Sequence, residues 1–154
     1  MSSALRQPVQ VLVYPVCNAQ ASREYLLLHR IAMPHLGLGV FWQGVTGGVE
    51  AGEGLLEAAA RELKEETGLT ASRLEPIGHS YSFPIPHEWR RRYDVSVEEI
   101  VEHVHLAFVS RQRPVLSEEH DGYRWCTIDE ALALLHYPRN VEALKLCDAW
   151  CISR

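Results

Sequence analysis

Three glutamates stand close together in one short segment of the chain. Glu62, Glu65 and Glu66 lie within RELKEET, and their i, i+3 and i+4 spacing groups the carboxylates on one face of a helix. Carboxylates this close repel one another and raise each other's pKa unless a cation compensates. Mg²⁺ takes oxygen ligands of this kind and bridges to substrate phosphates. The spacing indicates either a metal site or an acidic, solvated surface helix.

The glycines that precede the glutamates favour the metal site. Gly47, Gly48 and Gly52 allow a tight loop that other groups can approach closely, and a helix N-terminus behind such a loop attracts anions. Carboxylates one helical turn apart can hold two metal ions a few ångströms apart, and such a pair stabilises the attacking and leaving oxygens of a phosphate together. The segment therefore predicts phosphate chemistry.

A helix from about Leu55 to Thr67 must carry these glutamates. Gly68 is a natural stop for it, because glycine tolerates the left-handed conformation that ends many helices. The helical period places an apolar face opposite the glutamates. The residues predicted for that face are Leu56, Ala59, Ala60 and Leu63.

Segments typical of strands lie on both sides of this helix. The predicted strands are 9–15, 24–29, a short one within FWQGVTGG, 76–83, 103–110 and 123–128, the later helices are 129–135 and 139–150, and the main loops are 31–40 and 84–100. The turn-like NAQAS predicts a hairpin between the first two strands. In the last strand, alternation puts Tyr123, Trp125 and Thr127 on one face. This order predicts an α/β or α+β domain with a mixed sheet.

The composition excludes several classes of protein. The chain of 154 residues suits a single domain, 1–154. Its formal net charge of −5 argues against a nucleic acid polymer as partner, and no apolar run is long enough to cross a membrane. The first ten residues lack the apolar core of a signal peptide. The four cysteines form no CxxC pair, so we expect reduced thiols and a cytoplasmic protein.

The segment from Gly47 to Leu69 resembles the Nudix box. Every fixed position of that motif is filled, by Gly47, Glu53, Arg61-Glu62-Leu63, Glu65-Glu66 and Gly68-Leu69. A motif with this many constrained positions is far more specific than a lone glycine pattern. The strands on both sides extend the resemblance over most of the chain, and it implies the α/β/α sandwich of the Nudix hydrolases.

The resemblance also implies roles for the residues of the box. The metal-binding glutamates of the family are matched by Glu62, Glu65 and Glu66. Gly47 matches the residue whose backbone carbonyl joins the metal ligands. Glu53 and Arg61 match the pair that ties the loop to the helix and orients the glutamates, and a simple helix-stabilising ion pair is the alternative role. The implied cofactor is Mg²⁺, with Mn²⁺ as a substitute.

The implied reaction is hydrolysis of a diphosphate linkage by substitution at phosphorus. A metal-bound water attacks, a carboxylate takes its proton, and positioning with charge neutralisation supplies most of the remaining rate. The box does not choose among substrates.

Three segments outside the helix are similar to one Nudix subgroup. FWQGVTGGVEAGE, EHDGYRW and PRNVEAL resemble dihydroneopterin triphosphate pyrophosphatases and nucleoside triphosphate pyrophosphatases. This similarity implies a nucleotide or pterin triphosphate as substrate, cleaved to monophosphate and pyrophosphate, and it allows a homodimer. The loop glutamate of the subgroup, a metal ligand or base, is matched by Glu119 with Glu118 as the alternative, and both are otherwise loop charges.

Two basic regions are candidates for contact with the substrate. The residues of the first, within HEWRRRY, are Trp89, Arg90, Arg91, Arg92 and Tyr93. Arginine suits bidentate phosphate binding, and the aromatic rings could stack on a flat heterocycle. The alternative is a solvated loop with one aromatic anchor. Arg30, at the end of the second strand, matches a phosphate-binding arginine of the family or is an ordinary strand-end charge.

Other functions stay open at this point. A dinucleoside polyphosphate or an oxidised nucleotide would suit the same chemistry. A catalytically silent module that only binds a nucleotide is the alternative from another class, although such a module has no need of the intact glutamates. Isopentenyl diphosphate isomerases resemble the fold but need a catalytic cysteine and a modified box, so the complete box speaks against them.

Overall fold

A computed structural model describes residues 5–18 and 22–153, and its strands join in one mixed sheet. The strands are β1 (Val9–Cys17), β2 (Glu24–Arg30), β3 (Phe41–Gln43), β4 (Val45–Gly48), β5 (Arg73–Pro84), β6 (Glu99–Phe108) and β7 (His120–Cys126). The helices are α1 (Leu55–Thr67), α2 (Ile128–Leu134) and α3 (Pro138–Ile152). Of the residues described, no helix is both long and apolar enough to span a membrane.

Strand β1 lies at the centre of the sheet and changes partner along its length. It runs parallel to β6 from Val9 to Val16. On its other side it pairs with β4 at residues 10–13 and with β2 only at residues 16–17. Strand β2 in turn pairs with β3 and β7, and β6 pairs with β5. The sheet therefore divides where β1 leaves β4 for β2.

Both faces of β1 are buried, which explains its continuous run of apolar residues. Val11 and Val13 pack with α1 on one face. Leu12, Tyr14 and Val16 pack with α2 and α3 on the other. The helices thus cover the sheet on both sides, and the predicted α/β/α sandwich is confirmed.

Helix α1 has the predicted bounds but turns a different face to the sheet. Gly68 ends it with a φ of 73°, and its N–H donates to the carbonyl of Lys64. The predicted apolar face is wrong in part, because Leu56 and Ala60 are exposed whereas Ala58 is buried. The residues of α1 buried toward the protein are Ala58, Ala59, Glu62, Leu63, Glu66 and Thr67. Two of the three glutamates therefore continue the apolar stripe instead of opposing it.

Other boundaries differ from the prediction where local contacts decide them. The predicted loops 31–40 and 84–100 each contain a 3-10 helix, Pro34–Leu36 and His87–Arg92. Thr127 is not in a strand with Tyr123 and Trp125: its hydroxyl accepts from the N–H of Glu130 and caps α2. Strand β7 instead begins at His120. The predicted NAQAS turn falls largely on residues 19–21, which lie outside the described residues.

The four cysteines are free thiols, as expected. Cys17, Cys126 and Cys147 are buried, and Cys151 is partly buried. Burial raises the pKa of Cys126 to about 11, so its thiol stays protonated and inert. These side chains serve as small apolar residues of the core.

Candidate active site

A cavity of about 560 Å³ opens beside α1 and extends across the sheet toward α3. Glu62, Glu65 and Glu66 all line it. The ends of β2, β3 and β4 contribute to the wall, together with residues 35–38 and with Pro86, Glu88, Trp89 and Arg92. The cavity therefore brings the acidic helix and the predicted substrate segment to one place.

Gly47 and Glu62 fit against each other in the wall of this cavity. The carboxylate of Glu62 occupies the space where a side chain at position 47 would lie, so any Cβ there would overlap it. Glycine is needed here for close approach rather than for a special backbone angle. Burial raises the pKa of Glu62 to about 7, against the lowering effect of the bond from Arg61.

Arg61 connects the glycine loop to the glutamates. Its Nε and Nη2 donate to the two carboxylate oxygens of Glu53 at 2.8 and 2.9 Å. Nη2 also donates to the carbonyl of Gly48 at 2.8 Å, and Nη1 donates to Glu62 at 2.8 Å and to Glu65 at 3.3 Å. The bonds from Arg61 lower the pKa of Glu53 to about 2. Glu53 and Arg61 hold the loop and the helix together, and neither lines the cavity among the described residues.

Glu66, one helical turn after Glu62, is held by a second network of hydrogen bonds. Ser117 donates its hydroxyl to Oε2 of Glu66 at 2.7 Å, and Nδ1 of His120 lies 2.9 Å from the same oxygen. The amide nitrogen of Gln43 lies 3.0 Å from Nε2 of His120. Burial favours a raised pKa for Glu66, but His120, Ser117 and Arg30 outweigh it and the pKa is lowered. Sequence reasoning missed this network, although His120 directly follows the singled-out Glu119.

The acidic residues have the chemistry that a divalent cation requires, although they are not gathered around one point. Among residues 5–18 and 22–153, no group of three or more His, Cys, Asp or Glu side chains is arranged for one ion. Glu62 turns to Arg61 and Glu66 to His120, while the side chain of Glu65 is 55% exposed. Carboxylate oxygens of this kind are the ligands that a hard divalent cation takes. The chemistry of the donor set therefore fits a divalent metal.

Four arginines line the cavity, and three of them come from separate segments outside α3. Arg30 is buried at the end of β2, 3.6 Å from Glu119, and its Nε has no hydrogen-bond partner among the residues that the structure describes. Arg6 lies against Gly48, where a Cβ would come within 2.6 Å of its guanidinium, and its backbone N–H donates to the carbonyl of Arg92. Burial and then the charge of Arg6 lower the pKa of Arg92. Two guanidiniums that repel each other beside a cavity favour the binding of an anion there.

The predicted substrate segment 87–93 contributes fewer residues to the cavity than its sequence indicated. Trp89 lines the cavity, with its indole fixed by a 2.9 Å bond from Nε1 to the carbonyl of Leu36. Arg90 instead donates to the backbone carbonyls of Val97 and Asp94, and these bonds stabilise its own loop. Among the described residues, neither Arg91 nor Tyr93 lines the cavity. Arg91 is exposed to solvent, and Tyr93 is buried with Phe83 and Ile100. Arg92 is the member of the cluster that reaches the cavity.

The end of the cavity beneath α3 carries residues that sequence reasoning missed. Its lining there includes Phe41, Phe83, Glu102, Tyr137, Arg139 and Asn140. Tyr81 donates its hydroxyl to Oε2 of Glu102 at 2.5 Å, and Nδ2 of Asn140 donates to the Tyr81 oxygen at 3.0 Å. One signal was available, since Glu102 is a lone acid within the otherwise apolar strand pattern IVEHVHLAF. This end can therefore hold a flat, polar ring.

The two loop glutamates lie in different surroundings. Glu119 is partly exposed and lines the cavity beside Arg30. Glu118 is exposed and is not part of the cavity lining described. The backbone carbonyl of Glu119 accepts a bond from the N–H of Ile31, which ties this loop to the end of β2.

Comparisons with known proteins agree with this arrangement. Residues 6–147 match the NUDIX domain family. The dihydroneopterin triphosphate diphosphatase of Escherichia coli is 33% identical over 144 residues, which are 91% of this chain and 91% of that protein. The solved structure of that species' dihydroneopterin triphosphate pyrophosphohydrolase has a TM-score of 0.72 at 30% identity, over 93% of this chain and 96% of the other. The asymmetrical bis(5'-nucleosyl)-tetraphosphatase of Mus musculus is 32% identical over 79% of this chain and 76% of that protein.

Replacing Gly47 by alanine should displace the carboxylate of Glu62. We expect Gly47→Ala to lower kcat/KM by about 100-fold or more, the scale on which a misplacement of about 1 Å acts. Gly39→Ala is the matched control, because a Cβ at position 39 meets no atom within 4 Å. Steady-state kinetics on one good substrate compare the two. Equal activity of both variants would contradict the role given to the contact between Gly47 and Glu62.

Replacing Glu102 by glutamine should change how stability depends on pH. Burial raises the pKa of Glu102 from 4.5 to about 7, so between these values the folded protein keeps a proton that the unfolded chain releases. The wild type should therefore lose free energy of unfolding relative to Glu102→Gln as the pH rises through that window. Urea unfolding in EDTA at several pH values measures the difference. A difference that stays constant with pH would show that Glu102 is not buried as a neutral acid.

Proposed function

Because the chain belongs to the NUDIX family, whose hydrolases cleave diphosphate linkages with a divalent metal, we propose that it hydrolyses a nucleoside or pterin triphosphate. The products are the monophosphate and pyrophosphate, and the cofactor is Mg²⁺, with Mn²⁺ as a substitute. One observation carries this proposal: a single cavity joins the acidic helix and three arginines to an aromatic, hydrogen-bonding end. The 33% sequence identity to dihydroneopterin triphosphate diphosphatase supports a pterin triphosphate as the substrate.

The residues of α1 and β4 hold the metal in this proposal. Glu62, Glu65 and Glu66 provide carboxylate oxygens, and Gly47 provides its backbone carbonyl. When bound, divalent cations supply a more acidic water and neutralise charge on the leaving phosphate. Arg61 holds Glu62 and the glycine loop in fixed relative positions, because its guanidinium donates to both.

Glu119 is the base that takes the proton of the attacking water. It lies at the cavity wall on a loop tied to β2, and a carboxylate there can reach a water bound near α1. Arg30 lies 3.6 Å from it and attracts its carboxylate at the cavity wall. Glu118, on the exposed side of the same loop, has no such path.

The arginines position the phosphate chain. Arg6 lies against Gly48, and its charge lowers the pKa of Arg92 nearby. A phosphate that bridges these two arginines would therefore lie beside Gly48, which Arg61 of α1 contacts. Bidentate contacts of this kind fix the orientation of a phosphate. Holding the chain in line with the attacking water supplies much of the rate in phosphoryl transfer.

The four free thiols agree with a reducing, cytoplasmic location for the enzyme.

A metal-dependent substrate screen tests the proposal. The purified protein is incubated with dihydroneopterin triphosphate, the common nucleoside triphosphates and diadenosine tetraphosphate, with Mg²⁺, Mn²⁺ or excess EDTA. We expect monophosphate and pyrophosphate from a triphosphate, with turnover that disappears in EDTA and returns with Mg²⁺. Binding without turnover would instead identify a nucleotide-binding module, and preference for the tetraphosphate would identify a dinucleoside polyphosphate hydrolase.

The two loop glutamates give a matched pair of variants. Glu119→Gln should lower kcat by about 100-fold or more, the scale of a lost general base. Its KM should change little, because the group acts in the transition state rather than in binding. Glu118→Gln should change kcat far less. A larger loss of kcat in the Glu118 variant would show that the base is Glu118 and not Glu119.

A further inference from the structure

We infer that Glu102 selects the ring of the substrate, by accepting hydrogen bonds from the adjacent N–H and NH₂ groups of a 2-amino-4-oxopyrimidine edge. Guanine and the pterins share that edge. The inference rests on the proposed function, since it concerns the other end of the same cavity, and it names the substrate class within it.

The register of the sheet places Glu102 at a suitable distance from the phosphate chemistry. Gly48 pairs with Gln10, Gln10 with Glu102, and Glu102 with Tyr81, so these residues form one row across β4, β1, β6 and β5. Paired residues point to the same face, and neighbouring strands lie about 4.8 Å apart. Glu102 is therefore about 10 Å from Gly48, which contacts Arg6 and Arg61. A sugar or a short side chain spans such a gap between a ring and its phosphates.

Glu102 is held firmly but keeps one oxygen for a ligand. The residue is only 4% exposed, yet it lines the cavity. Tyr81 bonds to Oε2, and Asn140, whose own carbonyl accepts from Tyr14, bonds to Tyr81. Among the hydrogen bonds of the described residues, none is made to Oε1. Glu102 therefore keeps an unused acceptor in the cavity that it lines, where a ligand can donate to it.

The nearest cation does not complete the site. The guanidinium of Arg139 lies over the rings of Phe83 and Tyr137, 4.4 and 4.6 Å from their centres. Within the described residues it makes no ion pair with Glu102 at 4.0 Å or less, and its Nε has no hydrogen-bond partner. It lowers the pKa of Glu102 without preventing burial from raising it to about 7. Two donors from a ligand would stabilise the ionised carboxylate that this surrounding otherwise disfavours.

The chemistry of the carboxylate decides which ring fits. An ionised carboxylate accepts hydrogen bonds and donates none. The edge of guanine or a pterin offers two adjacent donors, an N–H and an NH₂. One donor can bond to Oε1 and the other to the second lone pair of Oε2, whose first lone pair accepts from Tyr81. Adenine and cytosine place a ring nitrogen lone pair beside the NH₂, and uracil places carbonyls on both sides of its N–H, so each meets repulsion there. A site built to hydrogen-bond one edge strongly rejects analogues that lack it.

The test compares Glu102→Gln with the wild type on four substrates. kcat/KM is measured for dihydroneopterin triphosphate, GTP, ATP and CTP, because the amide of glutamine offers one acceptor and one donor in place of two acceptors. We expect the ratio of kcat/KM for GTP to that for ATP to fall about 100-fold, with a similar fall for the pterin. Equal losses on all four substrates, or none, would overturn the inference. Glu99→Gln, an exposed acid on the same strand, is the control and should leave the ratio unchanged.

A second variant and a binding measurement keep the outcome clear. Tyr81→Phe removes the donor to Oε2 and should lower the same ratio, by less than Glu102→Gln does, while thermal unfolding confirms that both variants are folded. Quenching of neopterin fluorescence reports ring binding without any phosphate. If the wild type hydrolyses none of the substrates but Glu102→Gln weakens neopterin binding at least tenfold, the proposed function fails and the inference stands. If hydrolysis is intact but the ratio and the binding are unchanged, the inference fails and the proposed function stands.

Discussion

The bidentate pair of Arg61 and Glu53 is the interaction on which the rest of the site depends. Arg61 has five N–H donors in a rigid plane, and they reach the carboxylates of Glu53, Glu62 and Glu65 and the carbonyl of Gly48. One side chain therefore fixes the loop, the end of β4 and the helix that carries the glutamates. Lysine could keep the charge but not the fork. The charge of Arg61 also allows several carboxylates to lie together in one wall of the cavity without a bound metal ion.

The same helix places its glutamates in unlike surroundings, and their pKa values separate accordingly. Burial beside Gly47 raises the pKa of Glu62 to about 7, whereas the imidazole and hydroxyl beside Glu66 outweigh burial and lower its pKa. Glu65 is the most exposed of the three. Carboxylates whose environments push their pKa values apart take different roles in catalysis. Three identical residues on one helix thus present to the cavity one carboxyl group with a raised pKa, one with a lowered pKa and one that is exposed.

The sequence predicted what depends on neighbours along the chain and failed where the sheet brings distant residues together. The bounds of α1 and its stop at Gly68 follow from the helical period and from glycine, and they are confirmed. The orientation of α1 depends on its packing against β1, so Leu56 was placed inside although it is exposed. Arg90 was assigned to phosphate because the alternative partners, two backbone carbonyls, cannot be seen in a sequence. Glu102 went unnoticed for the same reason, since its importance comes from its pairing with Gln10.

Different elements build the two ends of the cavity, and this separation allows members of one family to share a motif but differ in substrate. The groups proposed for hydrolysis come from α1 and β4, which lie close together in sequence and are joined by Arg61. The ring end comes from β5, β6 and α3, which meet it only through the register of β1 with its neighbours. If Glu102 recognises the ring as inferred, a substitution in β6 changes the ring that is bound without moving the glutamates of α1. The rigid strand spacing keeps both ends at a constant separation, so a new ring can be accepted while the phosphate chain stays in place.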